Sequence, residues 1–484
     1  MSSWPSPSLL SYLLLGVLLL LVAALGVVVW LSGWHVGADS AVYRAGGLTL
    51  LKGEPLYTAS DLTTLPDWVR LPFTYTPAAA ALFVPLVLVP SGLVWGVIAV
   101  LSVVSLTVVI AVVARPSGVW LPAGTAIVLV LEPVWKTLFL GQINLILMAL
   151  VVFDVLVLSG RGAGLGRLAG SRSAAGSVEA GGSVGAVGSA GAVGLAGAAG
   201  PAGAVGLAGS LDAAGSRGLA GVGGSASSAG SLDAAGAGGS AGAVGERAWG
   251  SRWAGVLVGV AAAVKLTPLI FVPHLFFIGR WKDGLRALGT FVALEAVMFA
   301  VIPGDAWLFW TKSVTDPSRV GSVHWIFNQS LNGLVNRASS LAPWSMAVAV
   351  AVAAVLAVPA VWLVVRWHRR GERAAALLVT AFYALLVSPV SWSHHWVWAV
   401  PLVCLLVVKG RRWWALLVVV LFASQIVMLV PNGGNTEFTW GPGWSLLGNA
   451  YVLAAAGAIL GLAARELRLR ARTAARAVQP GPAE

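Results

Sequence analysis

Residues 92–114 read GLVWGVIAVLSVVSLTVVIAVVA, a run without a charged side chain. A helix rises about 1.5 Å per residue, so such a run can cross roughly 30 Å of hydrocarbon. Working outward, comparable runs occupy 9–31, 118–135, 142–159, 285–303, 344–366, 374–390, 413–431 and 446–464. Shorter pieces at 253–266 and 268–279 are split at Lys265-Leu-Thr-Pro268, and another lies at 396–408. Together these predict an all-α polytopic membrane protein of about twelve transmembrane helices. The piece Pro77–Pro90 is too short and proline-bounded to span, and is read as re-entrant or interfacial. Run 9–31 has no Lys or Arg before it and no small-residue cleavage site after it, so it is expected to be a retained span.

Composition agrees. Of 484 residues, 58% are hydrophobic and 10% charged, and the mean hydropathy is +0.88. Soluble domains run about 45–50% apolar and about 25% charged. The single cysteine, Cys404, excludes a disulfide framework, Cys-based zinc sites and iron–sulfur clusters. With so few charged residues, the formal charge of +12 points to a membrane surface rather than to nucleic acid.

The basic residues set the expected sidedness. With both termini in the cytoplasm and twelve alternating spans, only Arg44, Lys52, Arg70, Lys136, Lys265, Lys312, Arg319 and Arg337 of the 30 basic residues fall outside. Counting 77–90 as a full span would invert the later clusters, which supports the re-entrant reading. Residues 161–250 are low-complexity Gly/Ala/Ser/Val with internal repeats, such as GAVGLAG at 191–197 and 203–209. Such sequence buries too little to offset its ordering entropy, and a disordered cytoplasmic insertion is expected. The chain is thus read as a first transmembrane part, 1–160, with an outer loop at 32–76; the insertion; a second transmembrane part, 251–464; and a basic cytoplasmic tail, 465–484.

The outer segments concentrate unusual polar residues: His35 and Asp39 with Tyr43 and Arg44; Tyr75; Gln142 and Asn144; Lys265; His324 with Asn328, Gln329 and Asn332; Arg337; and Trp392 with His394 and His395. Polar groups at that boundary are costly unless they serve a site or pathway. Their convergence predicts a chamber open to the outside. Asp39 has two readings, a general base or a helix N-cap. Lys265 and Arg337 are either cations for a lipid phosphate or snorkelling side chains. The amides either bind sugar hydroxyls and phosphate oxygens or satisfy a buried loop backbone. Trp392, Trp396 and Trp398 either form an interfacial belt or stack on a sugar. The adjacent His394 and His395 cannot share one helix face, which disfavours a metal site on this pair. No Walker A, dinucleotide-binding or His-Glu-x-x-His pattern is present, and no long soluble domain exists to bind a nucleotide. Chemistry outside would need a lipid-linked activated group.

Several motifs in order resemble bacterial glycosyltransferase family 87: Gly37-Ala-Asp39 with Tyr43-Arg44, Gly53-Glu-Pro-Leu-Tyr57, Phe73-Thr-Tyr-Thr-Pro77, Gly141-Gln-Ile-Asn144, Ala263-Val-Lys-Leu-Thr-Pro268, Asn328-Gln-Ser-Leu-Asn-Gly333 and Ser388-Pro-Val-Ser-Trp-Ser-His-His-Trp396. The family pattern usually has Tyr-Pro-Pro where this chain has Tyr75-Thr76-Pro77. The resemblance implies a GT-C-like bundle in a bacterial plasma membrane with an extracytoplasmic active site. It implies inverting transfer of mannose from polyprenyl-phosphate mannose to a membrane glycolipid acceptor, forming an α-1,2 linkage, with no cofactor, metal or nucleic acid. Asp39 takes the place of the family's catalytic acid. Donor-phosphate and sugar contacts fall to His324, Lys265, His394, His395, Arg337, Asn328, Gln329, Tyr43, Arg44 and Tyr75, with His324 and Lys265 favoured for the phosphate. The insertion lies outside the pattern and is expected to be dispensable. Alternatives are the same chemistry with an arabinofuranosyl or glucosyl donor, a secondary transporter, or a structural scaffold. A transporter would place ionisable groups at the midplane and repeat its spans. Here Glu295 is the lone mid-span acid and no repeat is visible.

Overall fold

Apart from one isolated bridge between Asn328 and Trp392, every regular element among the described residues is helical. The computed structural model describes residues 9–57, 61–116, 118–159 and 252–478; the expected 161–250 insertion and the last six residues lie outside them. The first part comprises α1 (Leu9–Ser32), α2 (Ala38–Lys52), α3 (Pro77–Phe83), α4 (Val94–Ala114), α5 (Trp120–Ile127), α6 (Glu132–Leu140) and α7 (Asn144–Phe153). The second comprises α8 (Val256–Val264), α9 (Phe271–Phe277), α10 (Trp281–Val301), α11 (Pro303–Thr311), α12 (Leu331–Ala338), α13 (Ser345–Arg369), α14 (Arg373–Val387), α15 (Ala399–Val408), α16 (Arg412–Ala423), α17 (Ile426–Leu429), α18 (Pro442–Gly448) and α19 (Ala450–Val478).

Six helical segments among the described residues are long and apolar enough to cross a membrane: Leu9–Ser32, Ser91–Ala114, Trp281–Val301, Ser345–Arg369, Arg412–Leu429 and Ala450–Thr473. The remaining expected crossings are broken or short, so a count of twelve does not follow from length and apolarity. The 118–135 run becomes α5 and α6, bent by 82° against each other. The break has a local cause: Leu131 is extended, and Pro133 starts the new helix in its first turn, where a missing N–H costs little. The 253–279 region breaks at Lys265, whose extended backbone (φ −147°) ends α8 before Pro268 opens a 3-10 turn into α9. Residues 77–88 form α3 and a 3-10 turn, with Pro77–Ala80 and Phe83 buried.

Close helix contact rests on small residues. A Cβ on Gly26 of α1 would stand 2.7 Å from the Gly96 Cα of α4, so the backbones meet where only glycine fits. Asp154, after α7, accepts N–H bonds from Gly255 (2.7 Å) and Val258 (3.1 Å), holding the start of α8. At the far end of α13, Arg366 and Arg370 pair with Glu466 of α19 at 2.7 and 2.8 Å. Met346, at the near end of α13, lines a large cavity. Twenty helical residues between these points correspond to about 30 Å, so cavity and basic cluster sit at opposite ends of one long helix.

Candidate active site

The cavity measures about 740 Å³, within the range of small-molecule and cofactor sites. Asp39, Tyr75, Gln142, Lys265, His394 and His395 line it together with Lys136, Arg319 and the aromatic rings of Trp325, Phe327 and Trp392. The site is assembled at helix ends and breaks from both halves of the chain.

Asp39 lies in the first turn of α2, half-buried, where an anion is favoured by the helix dipole. It is not the N-cap; that position is Gly37, in the left-handed region at φ 77°. A Cβ on Gly37 would meet the Trp95 ring at 2.5 Å and Ser40 Oγ at 2.6 Å, so the turn that presents Asp39 needs glycine twice over. Gly37 N–H also donates to Phe139 O at 3.1 Å, tying this turn to α6. Burial pushes the Asp39 carboxyl up to about 6, against the opposing pull of Lys265 and of a hydrogen bond from Gln142.

Lys265 stands at the break after α8. Its ammonium donates to Asn144 Oδ1 at 3.0 Å and lies 3.0 Å from His395 Nε2. Burial brings it down to about 8, and Asp39 pulls the other way. The break is anchored by Thr76, whose hydroxyl accepts from Ala79 N–H to cap α3 and donates to Ala263 O at the end of α8. The threonine that departs from Tyr-Pro-Pro therefore joins the two segments flanking the cavity, a bond a proline could not make.

Adjacent though they are, His394 and His395 both reach the cavity, because Ser393–Trp398 is a 3-10 turn rather than an α-helix. Their rings stand edge-on with centroids 4.7 Å apart. The turn is fixed by Thr137 Oγ1 and Asn144 Nδ2 donating to His394 O at 2.9 and 3.2 Å. His395 Nδ1 accepts from Trp392 N–H at 3.2 Å. His394 is buried, yet its Nε2 has no hydrogen-bond partner.

Lys136 is a second ammonium on the wall. It donates to Ser393 Oγ at 2.9 Å, pairs with Glu132 Oε1 at 3.3 Å and lies 3.5 Å over the Phe327 ring. Fully buried Glu132 also accepts from Ser393 (2.7 Å) and Tyr451 (3.3 Å). The Glu132/Lys136 spacing of four, at a span edge, is a readable sign of such a pair.

The other expected site residues lie elsewhere. His324 packs on Phe438 with centroids 4.7 Å apart, away from the cavity wall. Arg337 is buried, donating to Asn449 Oδ1 and to the carbonyls of His324, Trp325 and Asn328. Asn328 and Gln329 satisfy backbone groups: the former bonds Val323 O, Pro389 O and Ser391 N, the latter Ile326 O and Gly448 O. Arg44 donates to Val89 O at 3.0 Å, tying α2 to the end of the 77–88 piece. Tyr43 is buried behind Tyr75. Trp396 and Trp398 are core residues; of the three tryptophans, Trp392 alone lines the cavity. Among the described residues no three His, Cys, Asp or Glu side chains converge as metal ligands.

With a carboxylate at one place, two ammonium groups and an unpartnered imidazole nitrogen at another, and indole rings between walls, the cavity can take a proton from a hydroxyl and hold an anion beside a sugar ring. The family model for glycosyltransferase family 87 matches residues 73–224 and 230–389. A Mycobacterium tuberculosis protein, "Polyprenol-phosphate-mannose-dependent alpha-(1-2)-phosphatidylinositol mannoside mannosyltransferase", is 26% identical over 521 residues, covering 100% of this chain and 99% of its own. A second Mycobacterium tuberculosis protein, the corresponding phosphatidylinositol pentamannoside mannosyltransferase, is 27% identical over 90% of this chain and 83% of its own. A Mycolicibacterium smegmatis pentamannoside mannosyltransferase is 34% identical over 163 residues, 31% of this chain and 38% of its own. Asp39 lies ahead of the family match and inside the full-length alignment. No solved structure matches.

Proposed function

We propose, from the premise that this chain belongs to glycosyltransferase family 87, that it transfers mannose from polyprenyl-phosphate mannose to a phosphatidylinositol mannoside or similar glycolipid, forming an α-1,2 linkage. The observation carrying this reading is that Asp39 and Lys265 line one and the same cavity. Asp39 takes the proton of the acceptor hydroxyl as that oxygen attacks C1 of mannose from the face opposite the phosphate. The C1–O bond to phosphate breaks with its electron pair, and a polyprenyl phosphate monoester leaves. Its added charge falls on Lys265 and Lys136, fixed before the reaction and therefore needing little reorganisation. Trp392, Trp325 and Phe327 offer faces for sugar rings. Of the other expected residues, Arg337 holds the carbonyls of His324, Trp325 and Asn328, and so serves the loop that carries Trp325 and Phe327.

On this reading the reaction runs at the extracytoplasmic face of the plasma membrane. The separation of the cavity from the Arg366/Arg370/Glu466 cluster along α13 supports that orientation, since basic clusters favour the cytoplasmic side. The test is transfer by purified protein in nanodiscs from radiolabelled polyprenyl-phosphate mannose to a phosphatidylinositol mannoside. Asp39→Asn keeps the shape and removes the base, and a loss of about 10²-fold or more is expected. Full activity in the variant would move the base elsewhere. No transfer by folded wild-type protein would sink the mannosyl reading.

A further inference from the structure

We infer that Gln142 is the positioning residue for Asp39, its amide locked by a closed ring of hydrogen bonds with Tyr43 and Tyr75 so that its free N–H faces the carboxylate. The inference rests on the reading of Asp39 as base. Its geometry stands apart from that reading.

The amide of Gln142 has one possible orientation. Oε1 is 3.1 Å from the N–H of Ile143 and 2.7 Å from Tyr43 Oη. A backbone N–H only donates, so the atom facing it must be the oxygen. Tyr43 then spends its single proton on Gln142. Tyr43 and Tyr75 hydroxyls lie 3.0 Å apart, and with the Tyr43 proton committed, Tyr75 donates to Tyr43. Gln142 Nε2 donates to Tyr75 Oη at 3.0 Å and closes the ring. Each hydroxyl donates once, and one N–H of the amide is left over. On this proposal that hydrogen is the one turned to the Asp39 carboxylate, which lines the same cavity as Gln142. All three ring members are buried. Tyr43 stacks on Phe83 with centroids 4.6 Å apart, and Tyr75 meets Tyr43 edge-on at 5.0 Å, so the hydroxyls cannot swing away.

Proton direction gives the ring its effect. Were the amide reversed, a carbonyl would face Asp39 and favour its protonated form. As built, a donor faces it and favours the carboxylate. The titratable and charged groups around Asp39 are Tyr43 on its own helix, Tyr75, Lys265, and across the cavity Lys136, Arg319, Asp316, His394 and His395. Burial raises Asp39 and the Lys265 charge and Gln142 donor restrain the rise. Removing the donor therefore raises it further.

The readout is the acidic limb of kcat/KM for the acceptor, from wild type, Gln142→Met, Gln142→Glu, Tyr43→Phe and Asp39→Asn in nanodiscs. Gln142→Met should move the limb up by about one pH unit, the scale of one hydrogen bond to a carboxylate. Gln142→Glu sets a like charge beside Asp39 and should move it further. Tyr43→Phe opens the ring while Ile143 still holds Oε1, and should move it in the same direction by less. If folded Gln142→Met and Gln142→Glu lose rate equally at every pH with the limb in place, Gln142 only fills space and the inference fails. If Asp39→Asn keeps both rate and limb, it is the base assignment that fails instead.

Discussion

Replacing Lys265 by Met keeps the aliphatic stem and removes the charge, and the structure separates two consequences. The first falls on Asp39, held at about 6 with Lys265 restraining it. An opposite charge nearby is worth about 1–3 pKa units, so losing it takes Asp39 to roughly 7–9. At pH 7 the ionised fraction drops from about nine-tenths to between about one-half and one-hundredth. That part of the loss, about 2-fold to 100-fold, is recovered by raising the pH, because it reflects protonation alone. The second consequence falls on the leaving phosphate. Removing one preorganised donor from a developing charge costs about 10²–10³-fold, and no change of pH restores it. The assay is transfer of labelled mannose across pH, fitted to an acidic limb and a plateau. Lys265→Met should show both a displaced limb and a depressed plateau. A limb left near the wild-type position would mean Lys265 does not feel Asp39. A plateau within about tenfold of wild type would mean it does not serve the phosphate.

Two predictions concern the scaffold. Glu132→Ala leaves Lys136, Ser393 and Tyr451 without their shared acceptor, and stripping one partner from a buried pair costs about 3–5 kcal/mol; the thermal midpoint in detergent should fall, and an unchanged midpoint would show the cluster is not structural. Gly96→Leu drives a side chain into Gly26, where even a Cβ would stand 2.8 Å from the Cα, at a cost of about 1–3 kcal/mol for overpacking. Gly16→Leu, on the same α1 helix with open space around it, should leave the midpoint alone, and equal loss in both would refute the crossing.

The helical, membrane-spanning class was legible because it depends on a sum: many apolar side chains in long runs, each contributing independently of its neighbours. The family was legible because short motifs such as Gly141-Gln-Ile-Asn144 kept their order. The number of full crossings was not legible. Whether 118–135 runs straight or bends by 82° depends on Leu131 turning extended before Pro133, a matter of two residues that an apolar sum cannot see. The split at Lys265-Leu-Thr-Pro268, by contrast, was visible in the sequence, because a lysine and a proline interrupt the apolar run, and the extended backbone of Lys265 does put its ammonium at the join of two short helices.

Within the site, sidedness brought candidate residues to one face but could not say which way each side chain points. Arg337 and Asn328 carry the right chemistry for a phosphate or a sugar, and both spend it on carbonyls and N–H groups of a loop that has no helix to satisfy its backbone. A buried irregular segment must find such partners, since an unpaired backbone group costs about as much as a lost hydrogen bond. Polar richness in a membrane protein's outer loops therefore has two sources, ligand and backbone, which composition adds together. What remains unspent is one clue, but it does not mark a site alone, since Gln329 Oε1, Trp396 Nε1 and Glu437 Oε2 are unpartnered away from the cavity. Gln142 has one N–H beyond its ring and also lines the cavity. Spare hydrogen-bonding capacity points to a substrate only where it coincides with a place on the cavity, and there it sits with the two ammonium groups and the carboxylate.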